Sequence, residues 1–195
     1  MFQNEATQTA RDPGRAAAIL EAALRLFSAQ GYAATTLAQI RAESGASTGS
    51  IYHFFKGKPG IAYRLWRQAL GGWARASGPI SSEAPAERAI RASVGGLLAW
   101  GSADPALFRF LEEVRARARC DPDFARIKEE LAQGARASAG LYGRWVAAGA
   151  VQDLPWPVAR ALMLGPAYDW LADGGGPADQ ARALEDAAWH AVARA

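Results

Sequence analysis

The chain has 195 residues, which is enough for one domain or for a small module joined to a larger one. Half of the residues are hydrophobic and 21% are charged, a balance that excludes a disordered chain and predicts a packed core. The net charge of +3 is compatible with a nucleic-acid partner but does not require one.

The cysteine content and the hydropathy of the chain bear on its compartment. The single cysteine, Cys120, excludes an intramolecular disulfide framework and is typical of a reducing cytoplasm, whether the thiol is inert or has a redox role. Residues 1–12 lack the apolar core of a signal peptide, and no apolar run approaches the roughly 18 residues of a membrane span. We therefore expect a soluble cytoplasmic protein with no membrane partner.

Hydrophobic periodicity predicts helices along nearly the whole chain, and no strand-like alternation competes with it. The first predicted helix has Asp12 as its N-cap and Pro13 at its first position. An apolar stripe over residues 19–27 forms its buried face, and Gly31 provides the C-terminal glycine.

Two short helices are predicted next, joined by a tight turn. Thr36 and Gln39 have capping-box spacing for the first of them, which ends before Gly45. Ser47 caps the second, which extends to about Phe54. Two helices joined in this way have the geometry of a helix-turn-helix, whose second helix enters the major groove of DNA.

The predicted helices beyond Lys56 are longer. They cover residues 58–76, 85–101, 104–119, 121–148, 156–173 and 177–192. This change of scale predicts a small DNA-binding module in residues 1–55 and an all-helical body in residues 56–195, with residues 56–76 as the connecting helix.

The second short helix carries a polar side that a plain helical bundle does not explain. Ile40, Ile51 and Phe54 are expected to form the core between the helices, and a bundle without a DNA role would use the same core residues. The remaining side chains form hydrogen bonds or carry positive charge: Ser47, Thr48, Ser50, Tyr52, His53, Lys56 and Lys58. We therefore favour a DNA-binding role for this helix.

The run LEAALRLFSAQGYAATTLAQIRAESGASTGSIYHFFKGK resembles the N-terminal DNA-binding domain of TetR-family transcriptional regulators. The elements FSAQGY, TT, SGAS and GSIYHFFKGK occur in the order of the family pattern over about forty residues. The rest of the chain is compatible with the variable helical ligand-binding and dimerisation domain of that family. The resemblance implies an all-α, TetR-like fold of about nine helices.

The resemblance also implies which residues meet DNA. Thr35 and Thr36 match the pair at the N-terminus of the helix that touches the DNA backbone, where free amides favour a phosphate. Ser47, Thr48, Gly49, Ser50, Tyr52 and His53 fall on the recognition helix. Tyr52 and Lys58 match phosphate-contacting residues, and such contacts hold the register while base-edge contacts specify the sequence.

Three positions depart from the family pattern. Arg41 replaces a small alanine, so it either reaches outward towards DNA or changes how the two helices cross. Phe54 replaces a frequent histidine and is interpreted as a core residue, and the Pro59-Gly60 pair predicts an irregular start of the next helix. Because the recognition helix has no Arg, Asn or Gln, direct readout is expected from Thr48, Ser50, His53, Arg41 or Gln39, with DNA shape supplying the rest.

The body is rich in aromatic residues that either pack as ordinary core or line a cavity for a small effector, as the resemblance implies. The candidate ligand-binding residues are Leu97, Trp100, Phe108, Leu111, Tyr142, Trp145, Met163, Tyr168 and Trp170. Glu112, Arg109 or Asp169 could orient a polar ligand.

The last two helices fall where TetR-like proteins form a four-helix dimer interface. The candidate interface residues are Leu162, Leu164, Tyr168, Leu171, Leu184, Ala188 and Val192. A homodimer is also expected physically, because one short recognition helix has limited affinity and a two-fold pair reads both halves of a near-palindromic operator.

The sequence does not suggest an enzyme, a metal site or a cofactor. Its two histidines, His53 and His190, lie in no metal-binding or nucleophile motif, and the GGGP run at 174–177 lacks the strand and Gly-Lys-Ser/Thr of a phosphate-binding loop. We expect a repressor that a small apolar or aromatic ligand releases from double-stranded DNA. The alternative is a TetR-like DNA-binding protein whose body binds a protein partner, and a small-molecule carrier is a weaker third interpretation.

Overall fold

The computed structural model describes residues 13–80 and 83–194. Over these residues the chain forms nine α-helices and one short 3-10 helix at Pro122–Phe124. The helices are α1 Pro13–Ala34, α2 Leu37–Ser44, α3 Thr48–Phe55, α4 Lys58–Ser77, α5 Ala86–Ala103, α6 Pro105–Arg117, α7 Ala125–Ala147, α8 Trp156–Ala172 and α9 Ala178–His190. The predicted all-α fold is confirmed, and the predicted N-cap Asp12 lies outside the described residues.

The chain divides into two compact units, Met1–Trp66 and Arg67–Ala195. The division falls within α4, whereas the sequence placed the boundary after residue 55, just before α4 begins. None of the helices over residues 13–80 and 83–194 has the length and apolarity that a membrane crossing requires.

Local capping chemistry sets the ends of the short helices in the first unit. The backbone N–H of Gln39 donates to Thr36 Oγ1 at 3.2 Å, and the N–H of Thr36 donates to Gln39 Oε1 at 2.8 Å, which confirms the predicted capping box. Gly45 ends α2 with a left-handed φ of 65°. Ser47 Oγ accepts from the N–H of Ser50 at 3.1 Å and caps α3 as predicted.

The core between α2 and α3 differs from the prediction in one residue. Ile40 and Ile51 are buried as expected, but the third member is Phe55, while Phe54 is only half-buried. Ile51 and Phe55 are four residues apart and share one face of α3, whereas Phe54 lies about 100° further round the helix. The assignment of Phe54 to the core was therefore wrong.

The junction between α3 and α4 is close-packed. Lys56 ends α3 with a left-handed φ of 56°, and α4 begins at Lys58 with Pro59 in its first turn, where proline is tolerated. A Cβ at Gly60 would overlap the carbonyl oxygen of Phe55, so only glycine allows the first turn of α4 to approach the end of α3 so closely.

In the second unit α5 packs against α6, α8 and α9. The second half of α4 also lies against α5, where Trp73 Nε1 donates to the Ser93 carbonyl at 2.8 Å. A Cβ at Gly72 would overlap the indole ring of Trp100, so this crossing requires glycine as well.

Candidate nucleic-acid interface

The exposed side of α3 is polar and carries a positive charge at its end. Thr48, Gly49, Tyr52, His53 and Lys56 are exposed, and the tyrosine ring with its hydroxyl is 53% exposed. Ile51 and Phe55 form the buried stripe of the same helix, and these exposed positions surround it on the solvent side. The arrangement can present hydroxyl, imidazole and ammonium groups to phosphates and base edges.

Two serines at the start of α3 are partly engaged within the helix. The hydroxyl groups of Ser47 and Ser50 lie 2.9 Å apart in a mutual hydrogen bond. Ser47 is exposed and Ser50 is half-buried. Both hydroxyl groups keep a further lone pair or proton for another partner.

On α2, Thr36 and Arg41 are exposed, as a role at a DNA surface requires. The exposure of Arg41 is consistent with an outward-reaching side chain rather than with one packed between the helices. Gln39 is also exposed, but its Oε1 accepts from the Thr36 amide and from Gln30 Nε2 at 3.2 Å. The side-chain oxygen of Gln39 therefore serves mainly to cap α2.

Thr35 does not offer its side chain to solvent. It is 1% exposed, its hydroxyl donates to the Gly31 carbonyl at 2.8 Å, and it accepts from Gln30 Nε2 at 3.2 Å. The Thr35 hydroxyl is therefore already used inside the module, and the expected DNA contact at this helix N-terminus, which rests on backbone amides, stays a prediction.

Lys58 is likewise engaged inside the module. It is half-buried, and its Nζ donates to the carbonyls of Tyr32 and Thr35, both at 2.9 Å. The same Nζ lies 4.2 Å from the centroid of the Tyr32 ring, in a cation–π arrangement. In this geometry two of the three ammonium donors are already used, and the phosphate contact of Lys58 stays a prediction.

The aromatic residues of the body form a cluster, which we define as Trp73, Trp100, Phe108 and Tyr168. The Phe108 and Tyr168 rings are stacked with centroids 5.9 Å apart, and Trp100 meets Phe108 edge-on at 6.3 Å. Trp73, which the sequence did not single out as a ligand-binding candidate, meets Tyr168 edge-on at 6.4 Å. Three of the nine predicted ligand-binding residues are thus in mutual contact.

The phenol of Tyr168 lies in a desolvated position within the cluster. Burial raises its pKa to about 12, and the guanidinium of Arg115, 4.1 Å from the ring centroid, partly opposes the shift. Glu112 adds to the increase and is bound to Arg115 at 2.7 Å. Of the charged residues considered for ligand orientation, Glu112 alone is linked in this way to the cluster.

The other predicted ligand-binding residues have different surroundings. Leu97, Leu111 and Met163 are buried, and Trp145 is half-buried. Tyr142 lies 6.0 Å from Trp156 and donates its hydroxyl to the Gln152 carbonyl at 2.8 Å.

Trp170 lies outside the aromatic cluster. Its Nε1 donates to Gln180 Oε1 at 3.3 Å, and its ring lies beside Gly175 and Gly176. Trp170 and Tyr168 are two residues apart on α8 and point to opposite sides of the helix. The predicted grouping of Trp170 with Tyr168 in one site was therefore wrong.

The predicted interface residues divide between the core and the surface. Leu171, Ala188 and Val192 are buried within the unit, and Leu171 lies directly against α5 at Gly101. These three assignments are corrected. Tyr168, which also belongs to the aromatic cluster, is half-buried, as are Leu164 and Leu184, and Leu162 is 41% exposed.

One interface candidate was missed. Val158 is 45% exposed and lies one turn before Leu162 on α8. The opposite face of α8 is also apolar and is buried at Ala159, Met163, Ala167 and Leu171. A helix that is apolar on both faces is typical of one that packs on two sides, and this signal could have identified Val158 from the sequence.

Comparison with known proteins matches the first unit to a family. Residues 19–64 match the family model described as bacterial regulatory proteins, tetR family. The HTH-type transcriptional regulator YxaF of Bacillus subtilis, described as uncharacterized, is 60% identical over 45 residues, which are 23% of this chain and 24% of its own length. The HTH-type transcriptional regulator AcrR of Shigella flexneri is 44% identical over 48 residues, 25% of this chain and 22% of its own. The match thus spans about a quarter of the length of these curated relatives.

Solved structures share the fold over nearly the whole chain. A TetR family transcription regulator from Marinobacter aquaeolei has a TM-score of 0.74 at 22% identity, covering 95% of this chain and 98% of its own. The ketosteroid transcriptional regulator KstR2 of Mycobacterium tuberculosis has a TM-score of 0.65 at 15% identity, covering 93% and 96%. Residues 19–64 are thus similar to the DNA-binding segment of the tetR family of bacterial regulatory proteins, and the chain shares its fold with solved TetR-family regulators.

Proposed function

We propose that the chain is a sequence-specific DNA-binding transcriptional regulator that acts as a homodimer on a near-palindromic operator. In this proposal it is a repressor, and a small apolar or aromatic ligand releases it from DNA. The observation that carries the proposal is the polar surface of α3, where Thr48, Tyr52, His53 and Lys56 are exposed while Ile51 and Phe55 are buried.

The exposed face of α3 is suited to a DNA groove for physical reasons. Thr48 and Gly49 are small, so the start of the helix can approach base edges closely. Tyr52 and Lys56 follow on the same side, where a hydroxyl and an ammonium group can bind phosphates and hold the register. Arg41, exposed on α2, adds a second cation that phosphates can attract.

The exposed apolar residues of α8 support the homodimer. Val158 and Leu162 are adjacent on one turn and exposed, although α8 already buries its other face against α5. Covering these two side chains with a second copy of α8 removes apolar surface from water. A two-fold pair then presents two copies of α3 to the two halves of the operator.

The aromatic cluster supports an apolar or aromatic effector. Its four rings come from α4, α5, α6 and α8, so a ligand that separates or reorders them would act on four helices at once. Flat apolar molecules stack favourably on such rings.

Selection from random DNA tests the proposal most broadly. The purified chain is mixed with duplexes of random central sequence, and the bound molecules are amplified and sequenced. The expected result is a near-palindromic motif, which T48A and H53A should alter at particular base pairs. Recovery of unselected random sequence would contradict sequence-specific recognition.

The dimer and the effector are tested separately. V158D and L162D should yield monomers in sedimentation equilibrium, while A137D, at an exposed alanine of α7, is the matched control and should remain dimeric.

For the effector, a panel of small apolar aromatic compounds is screened for release of labelled selected duplex. The response of an active compound should be lost in F108A, and a response that survives in F108A would place the ligand elsewhere.

A further inference from the structure

The ammonium group of Lys58 joins two parts of the DNA-binding module that are distant in sequence. Lys58 is the first residue of α4, and its Nζ binds the carbonyls of Tyr32 and Thr35, 26 and 23 residues earlier. These two carbonyls belong to the segment that follows the kink of α1 at Gly31 and leads into α2. The lysine therefore spans from the start of α4 to that segment.

The carbonyls of Tyr32 and Thr35 lie in a short connecting segment between the kink of α1 and the start of α2. Gly31 interrupts α1 with a φ of 80°, and Thr36 is the N-cap of α2, so residues 32–35 lie between two helical ladders. The N–H of Thr35 donates to the Tyr32 carbonyl at 3.2 Å, which closes the turn. Lys58 supplies a charged donor to the same carbonyl and to that of Thr35, and hydrogen bonds from a charged donor are stronger than neutral ones.

The other end of this connection is fixed as well. The start of α4 is held against the end of α3 by the close approach at Gly60 and Phe55. The stem of Lys58 therefore begins at a fixed point beside α3 and ends at the turn that precedes α2. Loss of either hydrogen bond of Lys58, to the Tyr32 carbonyl or to the Thr35 carbonyl, would alter the position of α2 relative to α3.

We propose that Lys58 is a positioning residue that sets the relative position of α2 and α3, and that its two carbonyl bonds, rather than a phosphate contact, are its main contribution to DNA binding. An ammonium group has three donors, two of which are used here, and its charge also faces the ring of the buried Tyr32. Moving the ammonium group out to a phosphate would break both bonds. Lys56, two residues earlier and exposed, is the lysine better placed for the DNA backbone.

The pair K58M and K56M tests the inference, which rests on the proposed function for its DNA readouts. Each variant removes one ammonium group and keeps an unbranched apolar stem. Three quantities are compared in the full-length chain: the melting temperature, the affinity for the selected duplex relative to a scrambled duplex, and the slope of log K against log salt concentration.

K58M should lower the melting temperature by on the order of 5 °C. It should reduce the preference for the selected duplex about tenfold or more, because α3 no longer meets the base edges correctly, and leave the salt slope unchanged. K56M should weaken both duplexes alike and make the slope less negative by about 0.9 for each phosphate that is no longer neutralised, with an unchanged melting temperature.

A K58M variant with a reduced salt slope and an unchanged melting temperature would overturn the inference, because that is the behaviour of a phosphate ligand. K58R is the second variant in case K58M does not fold. Its guanidinium retains donors for the two carbonyls, so it should recover part of the melting temperature with an unaltered slope, and a reduced slope would again overturn the inference.

The two proposals fail in different ways. If the unaltered chain binds no duplex, the proposed function is wrong. Equal melting temperatures of K58M and the unaltered chain, a comparison that needs no DNA, would show that the bonds of Lys58 do not hold the module together.

Discussion

The two units of the molecule are organised by different kinds of interaction. In the first unit the start of α2 is fixed by hydrogen bonds between Thr36 and Gln39, and the start of α3 by hydrogen bonds between Ser47 and Ser50. In each pair the two residues are three positions apart in sequence. In the second unit α5, α8 and α9 begin without a side-chain cap, and their positions depend on packing between distant segments. Local capping is therefore more prominent in the first unit, although Lys58 adds a long-range contact there, and packing between distant segments is more prominent in the second, where α6 keeps a local cap at Asp104.

This difference explains why the first unit was largely predictable. The capping box, the glycine turn at Gly45 and the Ser47 cap are local patterns, and all three are confirmed. The roles that depend on a distant partner were not predictable in this way. Lys58 looks like a DNA contact in sequence, but its ammonium group also binds two backbone carbonyls that become its neighbours only after folding.

The body was predictable as a set of helices but not as a set of surfaces. Because α8 is apolar on both faces, periodicity does not tell which leucines face α5 and which face solvent. Leu171 is buried and Leu162 is exposed, although both were assigned to the interface. The adjacent pair Phe54-Phe55 poses the same problem in the first unit, since only packing decides which ring enters the core.

The largest expected effect of a single substitution is at the junction of α3 and α4. Because a Cβ at Gly60 would overlap a backbone carbonyl that cannot move independently, G60A should reduce the free energy of unfolding by about 3 kcal/mol or more. The measurement is urea unfolding followed by circular dichroism. G134A is the matched control, because Gly134 lies within α7 and a Cβ there would meet nothing within 4 Å, and it should gain about 0.5 to 1 kcal/mol. Similar losses in both variants would contradict the close packing at Gly60.

A smaller effect is expected in the aromatic cluster at alkaline pH. Tyr168 has a pKa of about 12 in the folded chain, against about 10 when unfolded, so the folded state favours the neutral phenol. Its contribution is fully present below pH 10 and is lost as the pH rises from 10 to 12, by on the order of 2 kcal/mol. Urea unfolding of the unaltered chain and of Y168F between pH 9 and 11.5 measures the difference. Parallel pH profiles for the two proteins would show that the phenol is not desolvated.

The smallest effect tests the local character of the first unit. T36A removes the side-chain oxygen that accepts from the Gln39 amide and should cost about 1 kcal/mol. Hydrogen exchange of the amides in α2 measures the loss, which should be confined to residues 1–66. An equal loss of protection in α8 and α9 would contradict the view that local capping fixes only the first unit.

The central claim is that the exposed face formed by α2 and α3 binds the DNA backbone, and the salt dependence of binding tests it most directly. The double variant R41M/K56M removes two exposed cations from this face, and K128M/R136M removes two exposed cations from α7 as the matched control. The account predicts a slope of log K against log salt that is less negative by about 1.8 per protomer in R41M/K56M and unchanged in K128M/R136M. Equal slopes for R41M/K56M and the unaltered chain would contradict it.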